Sequence, residues 1–469
     1  MNIKQSAISG VKWTSSASII IGVFQILQVS ILARFLSSED FGLMAIVMVV
    51  IGFSKIFSDF GISNAIIHHQ ENTNEQLSTL YWLNILIGIF LFLIISLASP
   101  FISSFYGEPK LVELLIIFSF SFIIQSFGTQ FRILLQKELN FNLIAKIEVI
   151  SAFISLIVAI LLAIYNFGVY TLVFASLTNT IISTVLFIFN GSKLNKPKLI
   201  FSFINVKAYL NFGLYQTGQS TLNYFNSQFD ILLIGKLLGT EALGIYSIVK
   251  QLAMRPAQVI NPVLTRVTFP ILAKLQNDLV TLKNVYLKTM YYISLINFPI
   301  YLIIAVLSEP IVLILFGNDW EEAIPVLQIL AIYFMFRSIG NPMGSLVMAT
   351  GKVNLEFWWN VAMFALFPIA IYIGSYWNIE GIAYSLLFTI VITLIPMWYF
   401  IIKKLCKADF FEFFSPLSKI LLQNLFLLII SSIVFIFNIN MYLESFIFIT
   451  IFIIGYLYIN LKKIKAIIK

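Results

Sequence analysis

Four basic side chains stand inside long apolar runs, where the sequence offers them no obvious water: Lys55, Lys250, Arg255 and Arg337. A charge at the centre of a bilayer costs at least about 2.5 to 3.5 kcal/mol, so such groups face a cavity or a partner and are functional candidates. The one acidic group at comparable depth is Asp230. Lys250, Arg255 and Arg337 together therefore leave an excess of positive charge, which suits an anionic ligand. Guanidinium is the side chain best shaped to hold a phosphate through two parallel N–H bonds. Lys55 has a local alternative, because Asp59 lies one helical turn away and the two can neutralise each other.

Polar stripes accompany these charges. One run carries Thr14, Ser18, Gln25 and Gln28 at helical spacing, and another carries Gln216, Ser220, Asn223, Ser227 and Asp230. Residues three, four and seven apart share one side of a helix. The hydroxyls alone are explained equally well by bonds across helix contacts. Gln25, Gln28, Asn223 and Asp230 call for a hydrated lining, and Asp230 is the natural candidate for ion coupling.

The elements that must position these groups are transmembrane helices. The chain has 469 residues, 60% of them hydrophobic and 11% charged, whereas soluble domains carry about 25% charged residues. Helical spans need about 20 apolar residues. Fourteen runs of that kind are expected, at 12–35, 40–60, 79–99, 111–135, 146–165, 168–190, 207–235, 241–268, 287–307, 322–349, 355–376, 379–402, 418–438 and 441–461. On this reading only Arg34, Lys110 and Lys236 fall in outer loops, and the other loop and tail cations, Arg132 included, are cytoplasmic. Both termini are then cytoplasmic and the span count is even. The first run reads as a retained span, not a cleaved leader. The net charge of +8 reflects this asymmetry, not nucleic-acid binding. A single cysteine, Cys406, excludes an internal disulfide and a cysteine metal site. The sequence shows no zinc spacing, P-loop or nucleophile elbow, so no cofactor and no enzyme activity are expected. His68 and His69 sit in a polar loop and read as solvated.

The chain repeats itself. LARFLSSEDFGLMAIV from Leu32 matches IGKLLGTEALGIYSIV from Ile234, pairing Leu36 with Leu238, Glu39 with Glu241 and Gly42 with Gly244. Pro100 and Gly107 pair with Pro310 and Gly317 further on, Ser126 and Gly128 with Ser338 and Gly340, and Asn142 with Asn354. Six spans thus recur as six more in the same orientation, with a C-terminal pair appended. The expected organisation is an N-lobe over 1–190, a cytoplasmic linker over 191–206, a C-lobe over 207–403 and a helix pair over 404–469. A transporter with its site between two parallel lobes follows from that symmetry. Prolines cluster within or at the ends of spans in the second half, from Pro256 to Pro396, as hinges or static kinks. Pro100, Pro109 and Pro197 of the first half are expected in loops.

The stretches ILARFLSSEDFG, FGISNAIIHHQ, STLYWLNILIG, FDILLIGKLLGTEALGIYSI and RPAQVINPVLTRVTFPILAKLQND resemble the Wzx-type flippases of the multidrug/oligosaccharidyl-lipid/polysaccharide exporter superfamily, in the colanic-acid-exporter-like branch. The resemblance covers about residues 10 to 400. It implies an all-α, V-shaped alternating-access transporter with a cationic cavity, located in the bacterial inner membrane. The cargo it implies is an undecaprenyl-pyrophosphate-linked oligosaccharide for O-antigen, capsule or exopolysaccharide, with membrane lipids, a polysaccharide polymerase and chain-length proteins as partners. By motif it places Asp230 and Arg255 on the cavity wall. Proton or sodium coupling stays open. Two other readings stay open as well: a cation-coupled drug antiporter, for which the net basic charge is unsuited, and a polysaccharide polymerase or ligase, which needs a larger outer loop.

Overall fold

The computed structural model describes residues 3–59, 63, 66, 67, 72–202, 221, 224–437 and 439–468. Regular structure among them is helical throughout. Two compact units divide the chain, residues 1–244 and 245–469.

The first unit holds α1 (Ile3–Leu32), α2 (Ser38–Asp59), α3 (Asn74–Tyr106), α4 (Lys110–Lys137), α5 (Phe141–Ile164), α6 (Tyr170–Gly191), α7 (224–237) and the start of α8 (Gly239–Lys274). Local sequence sets several ends. Thr73 and Gln76 form a capping box that opens α3, and Gly107, at φ 77°, closes it in the left-handed region. α1 lies along α5, where Phe24 meets Phe153 and Lys146 sits 5.7 Å from the Trp13 ring. α7 is pinned to α2 by the Tyr224 hydroxyl, which donates to the Val49 carbonyl at 2.8 Å. At its N-terminal end α2 meets the start of α8, with Gly42 and Gly244 at the crossing.

The second unit continues α8 and adds α9 (Leu279–Val306), α10 (Ser308–Leu315), α11 (Ala323–Ile339), α12 (Asn341–Ala349), α13 (Val353–Gly374), α14 (Asn378–Met397), α15 (Lys403–Cys406), α16 (Phe410–Ser432) and α17 (Met441–Ile468). A π-helical turn, Trp398–Ile402, joins α14 to α15. Lys283 of α9 pairs with Glu412 of α16 at 2.7 Å, fastening the C-terminal pair to the lobe.

The protein is a multi-pass membrane protein. Among the described residues eleven helical stretches are long and apolar enough to cross a membrane, and one of these, Val353–Cys406, contains both α13 and α14. Exposed Leu97, Phe101 and Tyr458 show that the surface is built for lipid. Most of the expected seventh span, 207–235, lies outside the described residues, as do His68, His69, Gln216, Ser220 and Asn223. α8 runs unbroken for 36 residues, with Pro256, Pro262 and Pro270 inside it, and its charges dilute its apolar character.

The repeat has structural content. Gly107 and Gly317 both have positive φ, 77° and 97°, and Ser126 and Ser338 each donate to the carbonyl three residues back at 2.7 Å. Pro100 corrects the sequence reading, for it lies inside α3 and not in a loop. Proline has no N–H for the carbonyl four residues earlier. Here the Ser99 hydroxyl donates to that carbonyl, Ser96 O, at 2.8 Å. Pro299 in α9 is handled in the same way from farther off, since the freed Leu295 carbonyl accepts the Tyr456 hydroxyl of α17.

Candidate functional site

In the first unit Lys55 stands in the last turns of α2, nearer the helix end than the centre. The side chain of Asp59, its expected local partner, lies outside the described residues. The charged group acting on Lys55 is Arg132 of α4. Arg132, expected in a loop, lies inside α4 five residues before its end. Its Nε and Nη2 reach Glu148 Oε1 of α5 at 3.2 and 2.9 Å. Glu148 thus pairs with Arg132, beside which Lys55 of α2 brings a second cation. Both cationic side chains remain open to a ligand, Arg132 with 47% of its side chain exposed.

Gln25 is exposed and Gln28 half-buried on α1, while the Ser18 hydroxyl is spent on the Thr14 carbonyl at 2.8 Å. On α7, Ser227 donates to the Tyr224 carbonyl at 2.8 Å, and Asp230 Oδ1 accepts the Ile231 N–H at 2.9 Å. Phe53 of α2 fills the space against Tyr224 and Phe225, at 6.2 and 5.1 Å between ring centroids, and so fixes α7 near the stretch of α2 that carries Lys55.

The second unit assembles its own cations. Lys250 is only 4% exposed. Arg255 is half-buried, next to Pro256, and has no carboxylate partner among the described residues. Arg337 of α11 lies 5.8 Å from the centroids of both Tyr333 and Phe334 and donates from Nη1 to the Tyr333 hydroxyl at 3.0 Å. These contacts hold the flat guanidinium by its face and one edge, and leave other N–H groups directed elsewhere.

Tyr301 of α9 joins these groups. Its hydroxyl oxygen accepts the Ala257 N–H, two residues beyond Arg255, at 3.1 Å. Arg337 lies close enough to act on the same hydroxyl. Tyr301 is fully buried. Tyr301 therefore meets the backbone of the helical turn that carries Arg255 and lies near Arg337, while Lys55 and Arg132 form a separate group in the other unit. Sequence reasoning missed Arg132, Glu148, Tyr301 and Tyr333. For Arg132 a signal existed, since it interrupts the apolar segment FRILL. Tyr301 had none, as a tyrosine in a membrane helix is unremarkable.

A family model described as "Polysaccharide biosynthesis protein" matches residues 31–325. The chain is 34% identical over 418 residues to the lipopolysaccharide biosynthesis protein WzxC of Escherichia coli K12, spanning 89% of this chain and 85% of that protein. It is 31% identical to the teichuronic acid biosynthesis protein TuaB of Bacillus subtilis 168, over 79% and 77% of the two chains. Among solved structures the fold is similar to the lipid II flippase MurJ, with a TM-score of 0.73, 15% identity and coverage of 97% and 100%. It is also similar to a multidrug resistance MATE family transporter, with a TM-score of 0.61, 13% identity and coverage of 85% and 94%.

Proposed function

The chain belongs to the polysaccharide biosynthesis protein family, and from that premise we propose that it is a flippase for undecaprenyl-pyrophosphate-linked oligosaccharides. It carries repeat units of an O-antigen, capsule or exopolysaccharide across the bacterial inner membrane by alternating access, with both termini in the cytoplasm. The observation that supports this reading is Arg255, half-buried in an apolar helix with no carboxylate partner among the described residues. Keeping such a group in an apolar protein is costly unless an anion visits it. A pyrophosphate is the anion that a lipid-linked glycan brings. The lobes are the two six-span repeats, and each supplies cations to the headgroup while the prenyl chain stays in lipid.

Lys250, Arg255 and Arg337 engage the phosphates in one lobe and Lys55 in the other. Gln25, Gln28, Asn223 and Ser227 solvate the glycan, and Asp230 is the candidate for proton or sodium coupling. A polymerase and chain-length proteins would take up the product on the outer side. The test is removal of the protein, followed by identification of lipid-linked glycans on the cytoplasmic leaflet. Accumulation of a complete repeat unit there is expected. Unchanged lipid-linked glycan with normal surface polysaccharide overturns the reading.

A further inference from the structure

Beside Lys55 and Arg132 the first unit contains a cavity of about 20 Å³ lined by Ser58, Asn84, Gly88, Phe122, Gln125, Ser126 and Thr129. A space of about 10 to 15 Å³ is enough for one water-sized group. The cavity lies among α2, α3 and α4, and its lining continues the faces that carry the two cations. Ser58 stands three residues after Lys55, and Thr129 three before Arg132, so each is one helical turn from its cation.

The chemistry of the wall is specific. The three hydroxyls spend their protons on their own helices: Ser58 on Lys55 O at 2.8 Å, Ser126 on Ile123 O at 2.7 Å and Thr129 on Gln125 O at 2.9 Å. Their oxygen lone pairs are what remains for a visitor. Asn84 supplies the complement. It is 3% exposed, and among the described residues neither its amide nitrogen nor its amide oxygen has a hydrogen-bond partner. A buried amide left unmatched at both ends is costly to the fold. The space around it is kept open by Gly88, where a methyl group would press on the Phe122 carbonyl and Ser126.

A group that fits must be about the size of a water, donate one proton to oxygen lone pairs and accept one from an amide. A sugar hydroxyl does all three, and an alkali cation is disfavoured by Lys55 and Arg132 with no carboxylate in the lining. Resting on the flippase reading, we propose that this cavity is a hydroxyl subsite: it takes a hydroxyl of the sugar joined to the pyrophosphate, with Asn84 as its reader and Lys55 and Arg132 meeting the phosphate alongside. The subsite makes the first sugar part of what is recognised at the headgroup. A site built to bond a hydroxyl discriminates against a ligand lacking it, because its polar groups are then left unmatched.

The test uses the full-length protein in lipid nanodiscs and two probes, undecaprenyl pyrophosphate and undecaprenyl pyrophosphate carrying one glucose. Wild type is expected to bind the glucosylated probe roughly tenfold more tightly, as one or two added hydrogen bonds allow. Asn84→Ala and Thr129→Val should each remove that preference and leave affinity for the bare probe unchanged. Asn84→Ala should also keep or raise the melting temperature, since it deletes an unmatched amide; a structural asparagine would lower it. Equal binding of both probes by wild type overturns the subsite and leaves the flippase reading standing, with ordered water as the cavity's occupant. Persistence of the preference in Asn84→Ala, or equal weakening of both probes, overturns it too. Failure of wild type to bind either probe counts against the flippase reading itself.

Discussion

Gly42 and Gly244 pack on one another reciprocally. A methyl group on Gly42 would overlap the Thr240 carbonyl oxygen, and one on Gly244 would overlap the Ser38 carbonyl oxygen. Both pairs are related by the offset of the internal repeat. The most legible piece of that repeat is therefore a contact in which its two copies touch each other. Only backbone without side chains allows so close an approach. Nearby, Thr240 donates to Glu108 at 2.9 Å and Lys236 to the Phe105 carbonyl at 2.5 Å.

Gly42→Val and Gly244→Val should each destabilise the protein by about 1 to 3 kcal/mol or more, as overpacking does. The melting temperature in detergent should fall clearly for both. Since the two substitutions break one contact, the double variant should lose much less than the sum of the singles. Strict additivity would show that the glycines act independently.

Arg255→Ala and Arg337→Ala should abolish surface polysaccharide while membrane abundance stays at the wild-type level, measured by immunoblot beside polysaccharide staining. Arg337→Lys should remain defective, because a lysine cannot reproduce the planar contact with Tyr333 and Phe334. Normal polysaccharide in both alanine variants would remove the phosphate role from these residues.

The Ser96 carbonyl supports a double-substitution test. Ser99→Ala takes away the hydroxyl bonded to it and should cost about 0.6 to 1.7 kcal/mol, the range for hydrogen bonds in membranes. Pro100→Ala restores a backbone donor, so in that background Ser99→Ala should cost almost nothing. An equal loss in both backgrounds would mean that the serine does not serve the proline break. Tyr456→Phe tests the parallel arrangement at Pro299 and should loosen α17 from α9, seen as faster hydrogen exchange in Met441–Ile468.

At the start of α9 the Asp278 carboxylate accepts the Thr281 N–H at 3.1 Å and the Thr281 hydroxyl at 2.6 Å. These bonds hold its pKa below the ordinary carboxylate value. A depressed folded pKa gives stability that is fully present above the unfolded value and is lost as pH falls through the folded one. Asp278→Ala should accordingly lower the melting temperature at neutral pH, with a gap that narrows in acid. A gap independent of pH would assign the effect to helix propensity and not to the charged cap.

Part of the proposed site rests on the sequence alone. Lys55, Lys250, Arg255 and Arg337 declared themselves because an ionic side chain in an apolar run is costly wherever the helix points. By sequence Arg132 counts with the cytoplasmic loop cations although it falls near the end of the expected span 111–135, because Gln136, Lys137 and Glu138 follow it closely. In three dimensions α4 continues past it to Lys137, and Glu148 returns from α5 to meet it.

Composition and hydrophobic period by themselves determined that this chain crosses a membrane many times as helices, and the order of matched residues points to an internal repeat. Both follow from energies that each segment settles alone, the transfer of apolar side chains into lipid and the bonding of backbone within one helix. Tertiary structure alone decided which cation neighbours which, that Tyr301 ties the Arg255 turn to Arg337, that Tyr456 answers the carbonyl Pro299 exposes, and that Asn84 lines a cavity. Those outcomes depend on how each helix is rotated about its axis and how deep it sits. Packing against neighbours sets both, and no spacing along the chain encodes them.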